Sequence, residues 1–161
     1  MKKIIAAAVL LLAAISMQAQ SAKNLYRKYG DEKGVTAVYI SPAMFRLIGH
    51  LPNVELDDED IDLRPIVKSI NGLYILNCEN AVVADKLLND VEKMLDSGEY
   101  EMLLEAREEG ELTRMFTNGN DQVVKSFVLL NIEPDEVTFI SFEGNIPRED
   151  LENAIAKGAA D

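Results

Sequence analysis

The chain has 161 residues, 48% of them hydrophobic and 27% charged, which is close to the averages of globular proteins and excludes wholesale disorder. Its 28 acidic and 16 basic residues give a net charge of −12, which argues against binding to nucleic acid phosphates or to anionic lipid. A single cysteine excludes an internal disulfide and a cysteine-based zinc cluster.

Residues 1–20 are typical of a secretory signal peptide. Two lysines precede an unbroken apolar run, Ile4–Ile15, which is shorter than the roughly 20 residues that a transmembrane helix needs. Small residues then lead to Ala19, after which we predict cleavage, with Gln20 and Ala22 as the alternative sites. An N-terminal membrane anchor or a buried helix agrees less well with the positive start, the short apolar run and the small residues that follow it.

Residues 21–161 are predicted to form a single domain. A bacterial lipoprotein would need a cysteine directly after the apolar run, whereas the only cysteine is Cys78. We therefore predict an exported protein, periplasmic or secreted, that does not insert into a membrane after signal cleavage. Its 14 basic and 28 acidic residues make it more acidic than the full chain.

The first half of this domain mixes short helices and strands. Ser41 and Pro42 are typical of a helix start, and Met44, Phe45 and Ile48 would face inward. Residues 65–70 are ambiguous between strand and helix. The remaining predictions are a helix over 22–29, a strand over 35–40, a helix from position 42 to Gly49, an acidic loop over 53–63 and a strand over 72–78.

The second half begins with the clearest helix, over 80–96, whose apolar residues recur at helical spacing and which Gly98 would end. The apolar period then becomes two, from Tyr100 through Met102 and Leu104 to Ala106. Three turn signals predict a four-strand antiparallel meander, with strands at 99–107, 111–117, 122–130 and 136–143, and Pro147 opens a last helix with Leu151, Ala154 and Ile155 inward.

These elements predict an α+β fold: one mainly antiparallel sheet, including the C-terminal four-strand meander, with helices packed on one face. The strands at 123–130 and 137–142 are apolar on both sides, and such strands need cover on both faces of the sheet. Helices can cover one face. The second face would then need the N-terminal segment, another chain or a ligand.

Two residues are candidates for catalysis or metal binding. His50 follows Gly49, where a partly exposed histidine suits a helix C-terminus, and no local pattern supplies the oriented partner that a general base needs. Cys78 has Asn77 and Glu79 as neighbours, which favours a small buried hydrophobic residue over a nucleophile, with an intermolecular bridge as a further alternative.

The acidic residues give no clear metal or catalytic site. Glu55–Asp62 is dense enough in oxygens for calcium, but it lacks the glycine of an EF-hand loop, and a solvated loop is the simpler interpretation. Glu108–Glu111 is interpreted as a charged hairpin tip. The five tyrosines, Tyr26, Tyr29, Tyr39, Tyr74 and Tyr100, could line a pocket but more often form the edge of a core.

No catalytic, cofactor-binding or metal-binding residue is assigned, and no cofactor is expected. The sequence contains no nucleophile elbow, phosphate loop, dinucleotide fingerprint or His-Glu-x-x-His motif.

Three stretches together resemble the bacterial domain-of-unknown-function 4252 family. They are Val35–Phe45, where a strand runs into a helix; Ile70–Leu76, before the long helix; and Tyr100–Gly144 with its closing helix. The resemblance spans nearly all of the mature chain. It implies an exported, Bacteroidetes-type α+β domain with no assigned activity, and it carries over no catalytic or binding residue.

Three functional hypotheses follow. The leading one is a non-enzymatic interaction domain that binds a protein partner, or itself, through the meander. The alternative is a carrier of a small apolar ligand or lipid, with a pocket between sheet and helices. The third, an unrecognised hydrolase, would require His50, Cys78 or two carboxylates to converge in one cleft.

Overall fold

The computed structural model describes residues 21–48 and 64–158. Within these ranges the chain forms five helices and six strands. The helices are α1 (Ala22–Tyr29), α2 (Pro42–Ile48), α3 (Arg64–Ser69), α4 (Ala81–Leu95) and α5 (Arg148–Gly158). The strands are β1 (Val35–Ile40), β2 (Ile70–Cys78), β3 (Tyr100–Glu108), β4 (Glu111–Gly119), β5 (Val123–Ile132) and β6 (Val137–Pro147).

The six strands form one antiparallel sheet in the order β1-β2-β6-β5-β4-β3. The predicted α+β class is confirmed, and so is the C-terminal meander. The sheet is larger than the meander because β2 pairs with β6, with Leu76 opposite Phe139, and β1 then pairs with the other side of β2. β2 and β6 are therefore inner strands, and β1 and β3 are the two edges.

Side-chain caps define the helix starts. Asn80 precedes α4, and its Oδ1 accepts the backbone N–H groups of Val82 at 3.1 Å and Val83 at 3.2 Å, which satisfies two of the donors that a helix start leaves unpaired. Ser21 caps α1 in the same way, because its Oγ accepts the backbone N–H of Asn24 at 3.3 Å. The ambiguous segment 65–70 is helical, as α3, up to Ser69, and β2 begins directly after it at Ile70.

Local turn chemistry closes the hairpins of the meander. At the first turn Glu109 and Gly110 have φ values of 45° and 95°, the left-handed pair that a two-residue hairpin requires. At the second turn Asn120 Oδ1 accepts the N–H groups of Gln122 and Val123, each at 2.9 Å. The predicted charged hairpin tip at 108–111 is thus confirmed.

The first face of the sheet is covered by α1 and α4. Successive strand residues alternate between faces, and the side chains on this face form the larger core. From α4 this core takes Ala84, Leu87, Val91, Met94 and Leu95, and from the inner strands Leu76, Cys78, Leu130 and Phe139. Leu87 and Phe139 are fully buried, and the helical spacing predicted for α4 is confirmed.

The second face carries a smaller core made with α2, α3 and α5. Phe45 of α2, Leu73 of β2 and Ile146 of β6 are buried there, and Leu151 of α5 packs against them. Helices thus pack on both faces of the sheet. The expectation that Met44 faces inward is wrong: it is 49% exposed, because the two turns of α2 bury Phe45 and leave the adjacent position in solvent.

Several sequence predictions lie outside the described residues or side chains. They are the signal peptide over 1–20, Gly49, His50, the acidic loop over 53–63 with its calcium alternative, and the inward orientation of Ile48, Ala154 and Ile155. Among the helices that the structure describes, none has the length and apolar character required to cross a membrane.

Candidate interaction surface

A row of apolar side chains crosses the whole second face of the sheet. Strand pairing places one residue of each strand directly opposite the next, in the order Val38, Ile75, Ile140, Leu129, Met115, Leu104. We call these six residues the apolar row. With neighbouring strands about 4.8 Å apart, the row is about 24 Å long.

The apolar row is incompletely covered. Its second and third members, Ile75 and Ile140, pack against the smaller core, whereas Leu129 and Met115 are half-buried and lie outside that core's cluster. Its last member, Leu104, is 43% exposed. The half of the row nearest β3 therefore presents apolar surface to solvent.

A polar row runs beside the apolar row along the same face. Its members include Asn77, Thr138, Asn131 and Thr113, again directly opposite one another on successive strands. Asn77 Nδ2 donates to Thr138 Oγ1 at 3.2 Å, and Thr113 Oγ1 donates to Asn131 Oδ1 at 2.8 Å. Apolar surface with a hydrogen-bonded polar border is the usual arrangement of a protein interface.

The edge strand β3 carries a run of three exposed apolar residues. Its central residues Met102, Leu103 and Leu104 are 49%, 54% and 43% exposed. The pairing shifts by one residue here, since Met102 faces Phe116 and Leu104 faces the next position, Met115. This β-bulge places Met102 and Leu104 on opposite faces of the sheet, so the predicted alternation of Met102 and Leu104 on one side is wrong.

Charged side chains flank the exposed part of β3. Glu105 accepts hydrogen bonds from Arg107 at 2.9 Å and from Arg114 at 2.9 Å. The bonds from Arg107 and Arg114 hold the pKa of the Glu105 carboxyl below its usual value. Charges and bulges on an edge strand limit uncontrolled pairing with other chains. The exposed stretch at 102–104 lies just before these charges along β3.

The sequence-based catalytic candidates are not brought together in the described part of the chain. Cys78 is fully buried in the larger core, and its thiol lies 3.5 Å from the carbonyl oxygen of Asn80. The interpretation as a small buried residue is confirmed. No group of three or more potential ligands for a metal ion occurs among the described residues.

Three tyrosines form the edge of the larger core. The ring of Tyr74 stacks on Tyr39 with centroids 5.0 Å apart, and Tyr26 lies 5.8 Å from Tyr74 and 6.1 Å from Tyr39. Burial raises the pKa of Tyr74 to about 12. These rings pack against one another, in agreement with the core-edge interpretation.

Glu143 is a carboxylate on the face of the sheet that α1 and α4 cover. It lies opposite Gly72 on β2 and is half-buried. Burial raises the pKa of this carboxyl, and the nearby positive charge of Lys23 only partly opposes the effect. The ionised form of Glu143 is therefore disfavoured in the folded protein.

A polar cluster that the sequence analysis missed joins α1 to α4. Asp90 is 6% exposed and accepts hydrogen bonds from Tyr29 Oη at 2.7 Å, Lys28 Nζ at 2.5 Å and Lys93 Nζ at 3.3 Å. Burial would raise the pKa of Asp90, but hydrogen bonds from Lys28, Tyr29 and Lys93 outweigh it and lower the pKa to about 2. In the sequence, this cluster could have been recognised from Asp90, a charged residue on the apolar stripe of α4.

Comparison with known proteins adds a family assignment. No curated protein and no solved structure matches this chain. A family model described as Domain of unknown function (DUF4252) matches residues 26–154, a span from the middle of α1 into α5 that includes all six strands. The match covers most of the chain and agrees with the resemblance carried by its strands and helices. The chain therefore belongs to the DUF4252 family.

Proposed function

We propose that this protein is a non-enzymatic association domain that binds an extended segment of a protein partner along β3 and over the adjacent half of the apolar row. The observation that carries the proposal is the run of three exposed apolar residues on an outer strand, Met102, Leu103 and Leu104, of which Leu104 ends the apolar row. An outer strand has backbone donors and acceptors directed away from the sheet, and a partner strand can pair with them.

The apolar row supports this mode of binding. A strand added beside β3 would bring one of its side chains next to Leu104, the end of a row that continues inward through Met115 and Leu129. That side chain would extend the row by one position. Backbone pairing would supply affinity, and the row would select apolar residues in the partner.

Charge favours a basic partner over a second copy of this chain. β3 carries Glu101, Glu105 and Glu108 against a single basic residue, Arg107, and the whole chain has a net charge of −12. Two copies would repel each other over long range, whereas a segment with lysine or arginine beside its apolar residues would be attracted. We therefore assign the site to an apolar segment with basic flanks.

Capture from an envelope extract with matched baits tests the proposal. Leu103→Glu places a charge in the exposed stretch of β3, and Val82→Glu does the same at a 66% exposed apolar position on α4. We expect the wild type and Val82→Glu to retain the same partner and Leu103→Glu to lose it, with circular dichroism showing that all three are folded. Equal retention by the three baits would refute the proposal.

Light scattering across a wide concentration range tests the choice of partner. A constant monomer mass is expected for the wild type. A mass that doubles with concentration, and that Leu103→Glu restores to the monomer value, would show that a second copy occupies β3 and would overturn the assignment to a basic partner.

The alternative, a carrier of an apolar ligand or lipid, needs a cavity lined by apolar side chains. One cavity among the described residues lies between α1 and α4, and its lining is rich in lysine and carboxylate groups, so this cavity does not favour that function. Native mass spectrometry of the freshly purified protein tests this alternative, since a carrier would retain an apolar mass that denaturation releases.

The proposed site of action is outside the cytoplasm. The support is the lysine-led apolar run in residues 1–20, which is typical of a signal peptide. Expression of the full chain in a bacterium, followed by intact-mass measurement of the periplasmic fraction, tests this. We expect a protein that begins at Gln20. A cytoplasmic protein that retains Met1 would refute the proposal of export.

A further inference from the structure

A solvent-accessible cavity of about 390 Å³ lies between α1 and α4. It is independent of β3 and of the apolar row, since its walls come from the two helices and the turn after α1. The residues that line it are Lys28, Tyr29, Glu32, Lys86, Asn89, Asp90 and Lys93.

Asp90 orients two of the three lysines around this cavity. Lys28 and Lys93 each donate one hydrogen bond to the Asp90 carboxylate, and their side chains remain 60% and 69% exposed. An ammonium group has three N–H donors, so each lysine retains two for another acceptor. The carboxylate thus fixes two positive groups at the wall without using all their donors.

The third lysine has no partner of its own. Lys86 makes no hydrogen bond and no ion pair within the described part of the chain, and it lies one turn before Asp90 on the same side of α4. The cavity therefore holds three ammonium groups against two carboxylates, those of Asp90 and Glu32. A locally positive cavity contrasts with the net charge of −12 on the chain.

We propose that this cavity binds a small oxyanion of the phosphate type. Such an anion accepts hydrogen bonds on several oxygens and carries up to two negative charges, which matches three lysines with unused donors. A cation is a poor fit, because Asp90 already accepts three hydrogen bonds and the lysines would repel it. Either free phosphate or a phosphate group on a small molecule presents this chemistry.

Titration of the purified protein with inorganic phosphate tests the proposal. Backbone amide NMR signals of residues 86–93 should shift saturably when phosphate replaces chloride at constant ionic strength. The loss of one charge-assisted hydrogen bond, in Lys86→Gln, should weaken binding about tenfold. Lys125→Gln removes an exposed positive charge from β5 and should leave the affinity unchanged. A parallel titration with glycerol phosphate compares a phosphate monoester with free phosphate, and the probe that binds more tightly identifies the preferred form of the anion.

Two results would overturn the proposal. The first is an absence of saturable shifts at residues 86–93 with either probe. The second is equal weakening by Lys86→Gln and Lys125→Gln, which would show diffuse attraction of anions and no built site. Lys86 has an exposed side chain, so its substitution tests binding separately from folding.

Discussion

Replacement of Asp90 by asparagine tests the polar cluster between α1 and α4. The fall of the Asp90 pKa from 3.8 to about 2 corresponds to at most about 2.4 kcal/mol of stability at neutral pH. Solvent screens the two lysines, which are 60% and 69% exposed, so we expect a loss of about 1–2 kcal/mol for Asp90→Asn at pH 7.

The pH dependence distinguishes this electrostatic effect from a packing effect. A carboxyl whose pKa is lowered by folding stabilises the protein above its unfolded pKa, and the contribution is lost as pH falls through the folded pKa. The difference between wild type and Asp90→Asn should therefore be constant above about pH 5 and fall by about half at pH 3. Asparagine resembles the protonated acid, so the two proteins should converge below pH 2.

Urea denaturation at a series of pH values, followed by circular dichroism, measures this difference. Asp85→Asn is the matched control, because Asp85 is exposed on the same helix, and it should change stability by less than about 0.5 kcal/mol. A difference for Asp90→Asn that is independent of pH, or one no larger than the control, would refute the reasoning.

Three further substitutions probe other contacts. Glu143→Gln should stabilise the protein at pH 7, because burial disfavours the ionised carboxyl in the folded state, and it should have little effect below pH 4, where the carboxyl is protonated. A glutamine variant that is less stable than the wild type in urea at pH 7 would contradict this. Asn80→Ala should lower the free energy of unfolding by about 1 kcal/mol through loss of the α4 cap. The control is Asn89→Ala, an exposed change in the middle of the same helix, and an equal loss of stability in both variants would show that the cap contributes nothing. Leu87→Ala should cost about 2–5 kcal/mol in thermal or urea unfolding, because Leu87 is fully buried, and a loss below 1 kcal/mol would contradict the packing described.

Much of the fold could be predicted because the local signals agree with one another. Ser41-Pro42 indicated the start of α2 and Glu109-Gly110 the first turn of the meander, whereas β4 continues through Asn118-Gly119 and the second turn begins at Asn120. The apolar stripe of α4 identified its buried face. The joining of β2 to β6 was not predicted, since the pairing of distant strands depends on no short-range pattern.

The candidate surface was harder to predict. The β-bulge at 102–104 adds one residue within a run of apolar residues, and nothing in the composition of that run distinguishes Leu103 from Leu104. Asp90 could have been noticed on the apolar stripe of α4. Its partners could not, since Tyr29 lies 61 positions away in the chain and Lys28 lies 62 away.

The pairing of β2 with β6 has a consequence for the order in which the chain folds. Asn77 and Thr138, which face each other across these strands, are 61 positions apart, whereas the meander hairpins close through short turns. Closure of a long loop costs more entropy, so the hairpins of the meander should form first and β2 should join β6 afterwards. Until it does, β6 has one side without hydrogen-bonding partners, and newly made chains are then most prone to aggregate with one another.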